Sequence, residues 1–283
     1  MRVDSHHHLW RYTPEEYGWL RDAPGDSMAA LQRDFLPADL QREVVTAGID
    51  ATVAVQARQT LDETFWLLSL AERSSLIRGV VGWAPIAADD FGETLETLSQ
   101  ISLLKGLRHA VQAEPEGFLD SPTFGRGLAA LLPTGLVYDL LLFARQLPEA
   151  IRFVDRHPNQ SFVLDHLGKP DIQGGGFAEW YRNIRDLARQ PNVACKLSGL
   201  VTEADWHTWS AQQLKPYFET VLEAFGPSRL MFGSDWPVLT VACTYAQWSE
   251  TVAGWLAPLS ANERAAIEGE TAARIYRLSE GNR

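Results

Sequence analysis

The chain has 283 residues, 46% of them hydrophobic, and a formal net charge of −11. This length and apolar content suit one large α/β domain, and no linker or low-complexity tract divides the chain, so we expect a single domain over residues 1–283. The negative charge and the lack of a Lys/Arg cluster argue against nucleic acid or an anionic membrane as a partner. A small neutral or modestly charged substrate fits this composition better.

The sequence gives no signal for export or membrane insertion. The first predicted strand begins almost at Met1, which leaves no room for the apolar segment of a secretory signal. The longest apolar runs, such as residues 135–144, are far too short to span a bilayer. Cys195 and Cys243 lack the spacing of a metal site and suit a reducing compartment. These features predict a soluble, cytoplasmic protein.

Short apolar runs alternate along the chain with longer stretches of helical periodicity. The predicted strands cover residues 2–6, 51–56, 77–83, 106–111, 135–141, 161–165, 192–197 and 229–233. The predicted helices cover residues 38–47, 61–73, 90–104, 122–132, 147–156, 177–189, 211–225, 244–256 and 261–276. Helix stops are predicted at Gly48 and at the proline-containing pairs 157–158, 190–191 and 226–227.

Eight strand–helix units in about 250 residues are typical of a closed barrel of parallel strands. A doubly wound open sheet is the alternative, but such a sheet normally carries a Gly-rich phosphate loop after its first strand, where this chain has histidines. We therefore predict an α/β protein with a single-domain (β/α)8 TIM-barrel fold.

The first predicted strand ends in the segment Asp4-Ser5-His6-His7-His8. Side chains alternate along a strand, so His6 and His8 face the same way, and Asp4 is expected one layer beneath them on that face. A solvated polar strand end is the alternative interpretation of this short motif. The other strand ends must decide between the two.

Polar residues recur where the predicted strands end, and in a barrel these ends meet at one face. The set comprises His6, His8, Gln56, Arg58, Trp83, Arg108, His109, Tyr138, Asp139, His166, Lys196, Ser198 and Asp235. It contains four of the seven histidines in the chain. A lone member could be a core residue or a turn cap, but the shared face favours an active site.

These residue types point to hydrolysis. Asp235 is the candidate general base, because a carboxylate among imidazoles can take a proton from water. The candidates for polarising a carbonyl and stabilising the oxyanion that forms on it are His6, His8, His166 and Arg108. The alternative for Asp235 is the cap of a turn before Pro237.

The motif set resembles the amidohydrolase superfamily, whose pattern is Asp-x-His-x-His on strand one, a histidine on strand six and an aspartate on strand eight. The chain is more closely similar to the sugar-lactone hydrolase subgroup, which includes L-fuconolactonases and L-rhamnonolactonases and is related to the pyrone-dicarboxylate lactonases. The residues that carry this similarity are 6–10, 17–20, 106–109, 165–170 and 196–200. The resemblance implies opening of an aldonolactone, such as L-fuconolactone, to the aldonic acid.

A sugar lactone needs hydrogen-bonding partners and flat apolar walls. Gln56, Asp139 and Lys196 are expected to hydrogen-bond its hydroxyls, with His109 beside them. Trp83 and Trp236 are expected to supply the walls, although core packing is the alternative for any tryptophan. Arg58, Arg108 and Lys196 are the chief cations at the strand ends, so we expect neutral lactones of six-carbon sugars to be better substrates than dicarboxylate lactones.

The chain departs from binuclear members of the superfamily, which need a carboxylated lysine or a glutamate on strand four and a histidine on strand five. It has Arg-His at 108–109 and Tyr-Asp at 138–139 instead, so a two-metal site is not expected. A single zinc ion has acceptable ligands in His6, His8, His166 and Asp235. Because a lactone is more electrophilic than an amide, we expect turnover without a required cofactor, with zinc captured opportunistically.

Two further functions remain open at the level of sequence. A metal-dependent decarboxylase on the same scaffold would need a tightly held metal and more cationic groups for an aromatic carboxylate. A non-catalytic sugar-binding barrel would have little use for a base such as Asp235 among imidazoles.

Overall fold

Eight parallel strands form the centre of the molecule in a computed structural model, which describes residues 1–23 and 27–279. The strands are β1 (Val3–His7), β2 (Ala51–Val55), β3 (Ile77–Gly82), β4 (Leu104–Ala110), β5 (Val137–Leu141), β6 (Phe162–Leu164), β7 (Val193–Leu197) and β8 (Leu230–Phe232). Each strand pairs in parallel with the next in chain order, and a bridge between His7 and Trp236 brings β8 back to β1. This is the (β/α)8 barrel that the alternation predicts.

Helices pack around the strands as an outer layer. They are α1 (Gly18–Arg21), α2 (Pro37–Ala47), α3 (Leu61–Glu72), α4 (Phe91–Ser99), α5 (Pro122–Leu131), α6 (Leu147–Arg156), α7 (Phe177–Ala188), α8 (Leu200–Glu203), α9 (Ala211–Phe225), α10 (Tyr245–Leu256), α11 (Ala261–Ala265) and α12 (Thr271–Ile275). None of the helices in the described part of the chain combines the length and apolar character that crossing a membrane requires.

Most helix boundaries agree with the predicted ones, and the differences have local causes. Gly48 ends α2 in the left-handed conformation, as predicted. The helix predicted over 90–104 ends at Ser99, and the one predicted over 261–276 is interrupted by a π-helical segment, Ala266–Glu270. The sequence does not predict α1 and α8, because their four residues each are too few to show helical periodicity.

Two apolar cores hold the fold together. One lies between the strands and the outer helices. The other fills the inside of the barrel with small and β-branched side chains and is closed by a tyrosine that follows α12: Val3, Ala51, Val53, Val55, Val81, Val137, Val163, Ala194, Met231 and Tyr276. Since these side chains occupy the interior, they form an apolar floor, and the polar residues at the strand ends lie above it.

Candidate active site

Three histidines surround the carboxylate of Asp235 at the carboxyl ends of β1, β6 and β8. Its Oδ1 lies 3.3 Å from Nε2 of His8, 3.7 Å from Nε2 of His6 and 3.9 Å from Nε2 of His166. All four side chains are buried. The structure therefore brings together the residues that the sequence nominates as base and as carbonyl-polarising groups.

Unusual backbone geometry aims two of these side chains at each other. Asp235 has φ 62 and His166 has φ 53, in the left-handed region that residues other than glycine rarely adopt. The amide of Asp235 donates to the carbonyl of His6 at 2.8 Å, so closure of the barrel fixes its position. Leu167 and Lys169 also have positive φ, which turns the chain sharply after β6. Such conformations persist only where the surrounding structure enforces them.

The electrostatic surroundings keep Asp235 ionised. Burial alone would raise the pKa of its carboxyl, but His166, His8 and Lys169 together hold that pKa below its ordinary value of 3.8. Burial lowers the pKa of His166 to about 4. At neutral pH the site therefore combines a carboxylate with a neutral imidazole, which is the state that a general base and a neutral hydrogen-bond donor require.

One ring nitrogen of His8 has a defined partner. Its Nδ1 lies 2.8 Å from the carbonyl oxygen of Val55, and a carbonyl only accepts, so Nδ1 carries the proton. Its Nε2 faces Oδ1 of Asp235 at 3.3 Å and Nε2 of His6 at 3.2 Å. The contact with β2 therefore holds the ring with its other nitrogen directed at Asp235.

A buried layer of charged groups lies directly beneath His6. The ammonium of Lys196 is 2.6 Å from Oδ2 of Asp139 and 3.0 Å from Oδ1 of Asp165. Nη1 of Arg108 is 2.9 Å from Oδ2 of Asp165. Two cations thus face two carboxylates without contact with solvent. Burial would raise the pKa of Asp165, but Lys196, His6 and Arg108 hold that pKa far below its ordinary value.

This layer corrects the expected roles of Asp139 and Lys196. Both side chains are fully buried, and they bind each other instead of facing a substrate. The hydroxyl of Tyr276 also donates to Asp139, at 2.8 Å from Oδ2. Two residues of this layer, Asp165 and Tyr276, were not among the site residues predicted from the sequence. Asp165 could have been found as a charged residue at the end of a buried strand, whereas nothing local marks Tyr276.

Arg108 and Gln56 hold each other at the ends of neighbouring strands. The guanidinium of Arg108 donates to the carbonyl of Gln56, and Nε2 of Gln56 donates to the carbonyl of Arg108 at 3.3 Å. Arg108 Nη1 is also 3.4 Å from Nε2 of His6. Both side chains are therefore locked beside the histidines.

The two predicted aromatic walls differ in their surroundings. Trp83 is half-buried, and its Nε1 donates to Nδ1 of His109 at 3.2 Å. His109 in turn donates from Nε2 to Glu114 at 2.7 Å. Trp236 is buried, with its ring edge-on to Phe35 at a centroid distance of 5.3 Å. Trp83 and His109 thus form one partly exposed pair, whereas Trp236 is engaged in packing.

Asp4 does not lie beneath His6 and His8 as expected. Between Asp4 and His7, β1 contains one residue more than the facing segment of β2, and this bulge breaks the alternation of side chains. The carboxylate of Asp4 accepts a hydrogen bond from the hydroxyl of Tyr245 in α10 at 2.9 Å. Asp4 therefore ties the strand to the outer helices, and burial raises its pKa to about 6.

Among the residues that the structure describes, two sets of side chains have the composition of a metal site. In each set, the candidate ligand atoms lie within 4.8 Å of one another: His6, His8 and Asp235 in one, and His6, Asp165 and His166 in the other. Nitrogen and carboxylate ligands of this kind suit zinc. The first set contains three of the four ligands expected from the sequence, and the fourth, His166, belongs to the second set.

Comparisons with known proteins show the family of the chain. The sequence model of a family described as amidohydrolase matches residues 3–278. An L-fucono-1,5-lactonase of Burkholderia multivorans is 42% identical, with 99% of this chain and 97% of that protein covered. An L-fucono-1,5-lactonase of Burkholderia ambifaria is 34% identical, over 98% of this chain and 96% of that protein. A crystal structure of an amidohydrolase from Burkholderia multivorans with bound zinc superposes with a TM-score of 0.94 at 42% identity, covering 99% of this chain and 100% of that one.

Proposed function

The chain belongs to the amidohydrolase family, and from that premise we propose that it hydrolyses a sugar lactone to the aldonic acid. The observation that carries this proposal is the ionised carboxylate of Asp235 within 3.9 Å of three buried imidazoles. The activity named for the two Burkholderia lactonases supports L-fucono-1,5-lactone, or a close relative among the lactones of six-carbon sugars, as the substrate.

Asp235 acts as the general base in this reaction. It takes a proton from water as the water oxygen bonds to the lactone carbonyl carbon, and a tetrahedral oxyanion forms. When the oxyanion collapses, the bond between that carbon and the ring oxygen breaks, and Asp235 returns the proton to the departing oxygen. The product acid ionises at neutral pH, so each turnover releases one proton to solvent.

The surrounding side chains polarise the lactone carbonyl and position the attacking water. Arg108, His6 and His166 donate hydrogen bonds to the carbonyl oxygen as negative charge develops on it. His8, whose Nε2 lies 3.3 Å from Oδ1 of Asp235, orients the attacking water together with that carboxylate. This assignment changes the role of His8 from the polarising group expected from the sequence to a water-positioning group.

The charge balance of the site favours a neutral substrate. Arg108 pairs with Asp165, and Lys196 pairs with both Asp139 and Asp165. Arg58, the third cation considered from the sequence, lies 2.6 Å from Glu16. Because carboxylates already neutralise these three cations, they supply no net positive charge to attract a substrate carboxylate. Gln56, Trp83, His109 and Trp236 remain our candidates for contacts with the sugar.

A single zinc ion fits His6, His8 and Asp235, whose ligand types and spacing meet the needs of that metal. When bound there, zinc would supply Lewis-acid chemistry for carbonyl activation. We propose that the protein's own donors and base suffice for a lactone without it.

A panel of lactones with a pH indicator tests the function. L-Fucono- and L-galactono-lactone are expected to be opened with proton release, and 2-pyrone-4,6-dicarboxylate is expected to be opened poorly or not at all. The reverse ranking would reject the charge argument. Release of carbon dioxide from aromatic carboxylates, or lactone binding without turnover, would replace lactone hydrolysis with the decarboxylase or the binding protein.

The same assay tests the base through Asp235→Asn. The amide keeps the shape of the side chain but cannot accept the proton, so kcat should fall by roughly 10²–10⁴-fold. Circular dichroism serves as the control for folding. A folded variant with near-normal turnover would show that Asp235 is not the base.

A further inference from the structure

An ion pair of Lys169 and Glu203 lies at the rim of the site. Nζ of Lys169 is 3.4 Å from Oε1 of Glu203. The two side chains are 17% and 16% exposed, compared with 6% for Asp235. This rim pair is therefore closer to solvent than the base. A substrate whose carbonyl carbon reaches Asp235 must extend from there toward solvent, where more exposed side chains can contact it.

Two neighbouring strand ends place the rim pair beside His166. Lys169 closes the turn after β6, and its amide donates to the carbonyl of His166 at 2.8 Å. Glu203 is the last residue of α8, the short helix that begins directly after Gly199. Gly199 itself packs against the ring of His166. The rim pair is thus built on the same two segments that position this histidine.

Both charges of the rim pair act on the base. Lys169 is one of the groups that hold the pKa of Asp235 below its ordinary value. Burial raises the pKa of Glu203, Lys169 lowers it, and the charge of Asp235 raises it again. Lys169 and Glu203 therefore lie within electrostatic reach of the carboxylate at which the substrate carbonyl is expected.

The rim pair has unused hydrogen-bonding capacity. In residues 1–23 and 27–279, the ammonium of Lys169 meets the carboxylate of Glu203 and, at 5.2 Å, the ring of Phe143, and no further hydrogen bond reaches either charged group. An ammonium has three donors and a carboxylate has about four acceptor sites. Hydroxyl groups both donate and accept, so they can use the remaining sites of both partners. The pair carries no net charge, which suits a neutral ligand.

We propose that Lys169 and Glu203 bind the hydroxyl groups of the substrate, with Glu203 accepting from hydroxyls and Lys169 donating to a hydroxyl oxygen. The inference rests on the proposed lactone hydrolysis and assigns the preference for polyhydroxylated lactones to this pair. Hydrogen bonds to charged groups are stronger than those between neutral groups, so the pair contributes to selectivity as well as to affinity.

A binding experiment without turnover tests the pair. Lys169→Met/Glu203→Gln removes both charges together, so neither is left unpaired. Lys215→Met/Glu219→Gln is the matched control, because that pair is 3.3 Å apart on the exposed surface of α9. Isothermal titration calorimetry uses L-fucose, which carries the ring hydroxyls of L-fucono-1,5-lactone but has no ester bond to open.

We expect the Kd for L-fucose to rise by about 10-fold or more in the rim variant and to stay unchanged in the control. Equal affinity in the wild type and the folded rim variant would overturn the proposal, and so would a wild type that does not bind L-fucose. If the double variant does not fold, Glu203→Gln alone takes its place.

Kinetics with two lactones separates hydroxyl binding from a structural role. At a pH above 7, the rim variant should lose about 10-fold or more in kcat/KM for L-fucono-1,5-lactone but keep its kcat/KM for δ-valerolactone, which has no hydroxyl group. Equal losses for both lactones would overturn the proposal. A protein that binds L-fucose through the rim pair but opens no lactone would instead contradict the proposed activity alone.

Discussion

Gly199, the residue before α8, is fitted closely against the ring of His166. It has φ +66, and a Cβ at this position would lie 2.5 Å from Nδ1 of His166. The same nitrogen is hydrogen-bonded at 2.8 Å to Ser198, so the ring is held from two sides. A methyl group here would push His166 away from Asp235.

We therefore expect Gly199→Ala to lower kcat/KM by roughly 10²-fold, the loss that a displacement of about 1 Å can cause in an active site. Gly117→Ala is the matched control, because Gly117 has φ +87 but no atom within 4 Å of the added methyl group. Both substitutions carry a backbone cost of about 1–2 kcal/mol. Thermal unfolding of the two variants measures the cost of backbone strain, and steady-state kinetics measures the effect of displacing His166. Equal activity in both variants would contradict the steric argument.

Individual side chains divide into those that the sequence could place and those that it could not. The motif residues His6, His8, His166 and Asp235 could be predicted to converge, because each follows a strand and strand ends meet at one face of a barrel. No comparable sequence pattern indicates how deep a polar residue lies within the barrel. From the sequence, Lys196 is therefore predicted to bind the substrate, although it lies beneath the site.

Strand β1 shows how one extra residue changes which side chains of a motif face the site. Its bulge turns Asp4 away from the site, whereas His6 still faces the site and His7 faces the other side by ordinary alternation. The alternation of the sequence gives no warning of a bulge, since the segment reads as a regular strand. His7 lies outside the group of imidazoles around Asp235, with its Nε2 3.0 Å from the hydroxyl of Thr52.

His7 should make the stability of the protein sensitive to acid. Burial, with a smaller contribution from His8, lowers its pKa from 6.5 to about 3. Below about pH 6.5 the unfolded chain binds a proton at this residue that the folded protein does not, so stability is lost as the pH falls. The contribution is about 1.4 kcal/mol per pH unit between those two values.

In His7→Gln, which keeps an amide near Thr52 but cannot titrate, the free energy of unfolding should fall less steeply with decreasing pH than in the wild type. Urea unfolding between about pH 6 and pH 4.5, with chelator present, measures the two slopes, and the loss of packing cancels because it is the same at each pH. Parallel slopes would show that His7 does not titrate on unfolding.

The turn after β6 is the element that sequence patterns describe least well. Four consecutive residues, His166 to Lys169, have positive φ, and only one of them is glycine. Propensity alone disfavours this conformation, so tertiary contacts impose it. The end of α2 at Gly48 follows from the backbone preference of glycine, so the sequence predicts it. The turn after β6 is imposed by the surrounding barrel, so the sequence does not predict it.

The barrel itself was predictable because its signal is spread over the whole chain. Eight repeats of an apolar run followed by a helical stretch tolerate errors of a few residues at any one boundary, and the strand order follows from the chain order. The single charged layer inside it depends on contacts between β4, β5, β6 and β7, which no one repeat encodes. The repeated sequence pattern therefore predicts the architecture of the protein. The charged groups of the site contact one another only in the closed barrel, so the pattern does not predict their pairing.

For the whole protein we expect catalysis to survive removal of metal. The candidate zinc ligands lack a bridging residue on β4 and a histidine on β5, so an ion bound there should be single and exchangeable. Chelated protein, verified as metal-free by elemental analysis, should keep most of its turnover, and stoichiometric zinc should not raise it. Complete loss on chelation with full recovery on zinc would instead assign the reaction to a metal-activated water.

The contact of Tyr276 with Asp139 links the order of synthesis to activity. These two residues are separated by 137 positions, and Ser234, which bonds Asp4 at the start of the barrel, lies 230 positions beyond it. At a translation rate of about 5–20 residues per second, the first strand waits roughly 10–50 seconds for its eighth neighbour. During that interval His6 and His8 belong to a nascent chain in which Asp235 has not yet been made. The charged layer inside the barrel is complete only after Tyr276, the residue that follows α12, has been made and bonds Asp139.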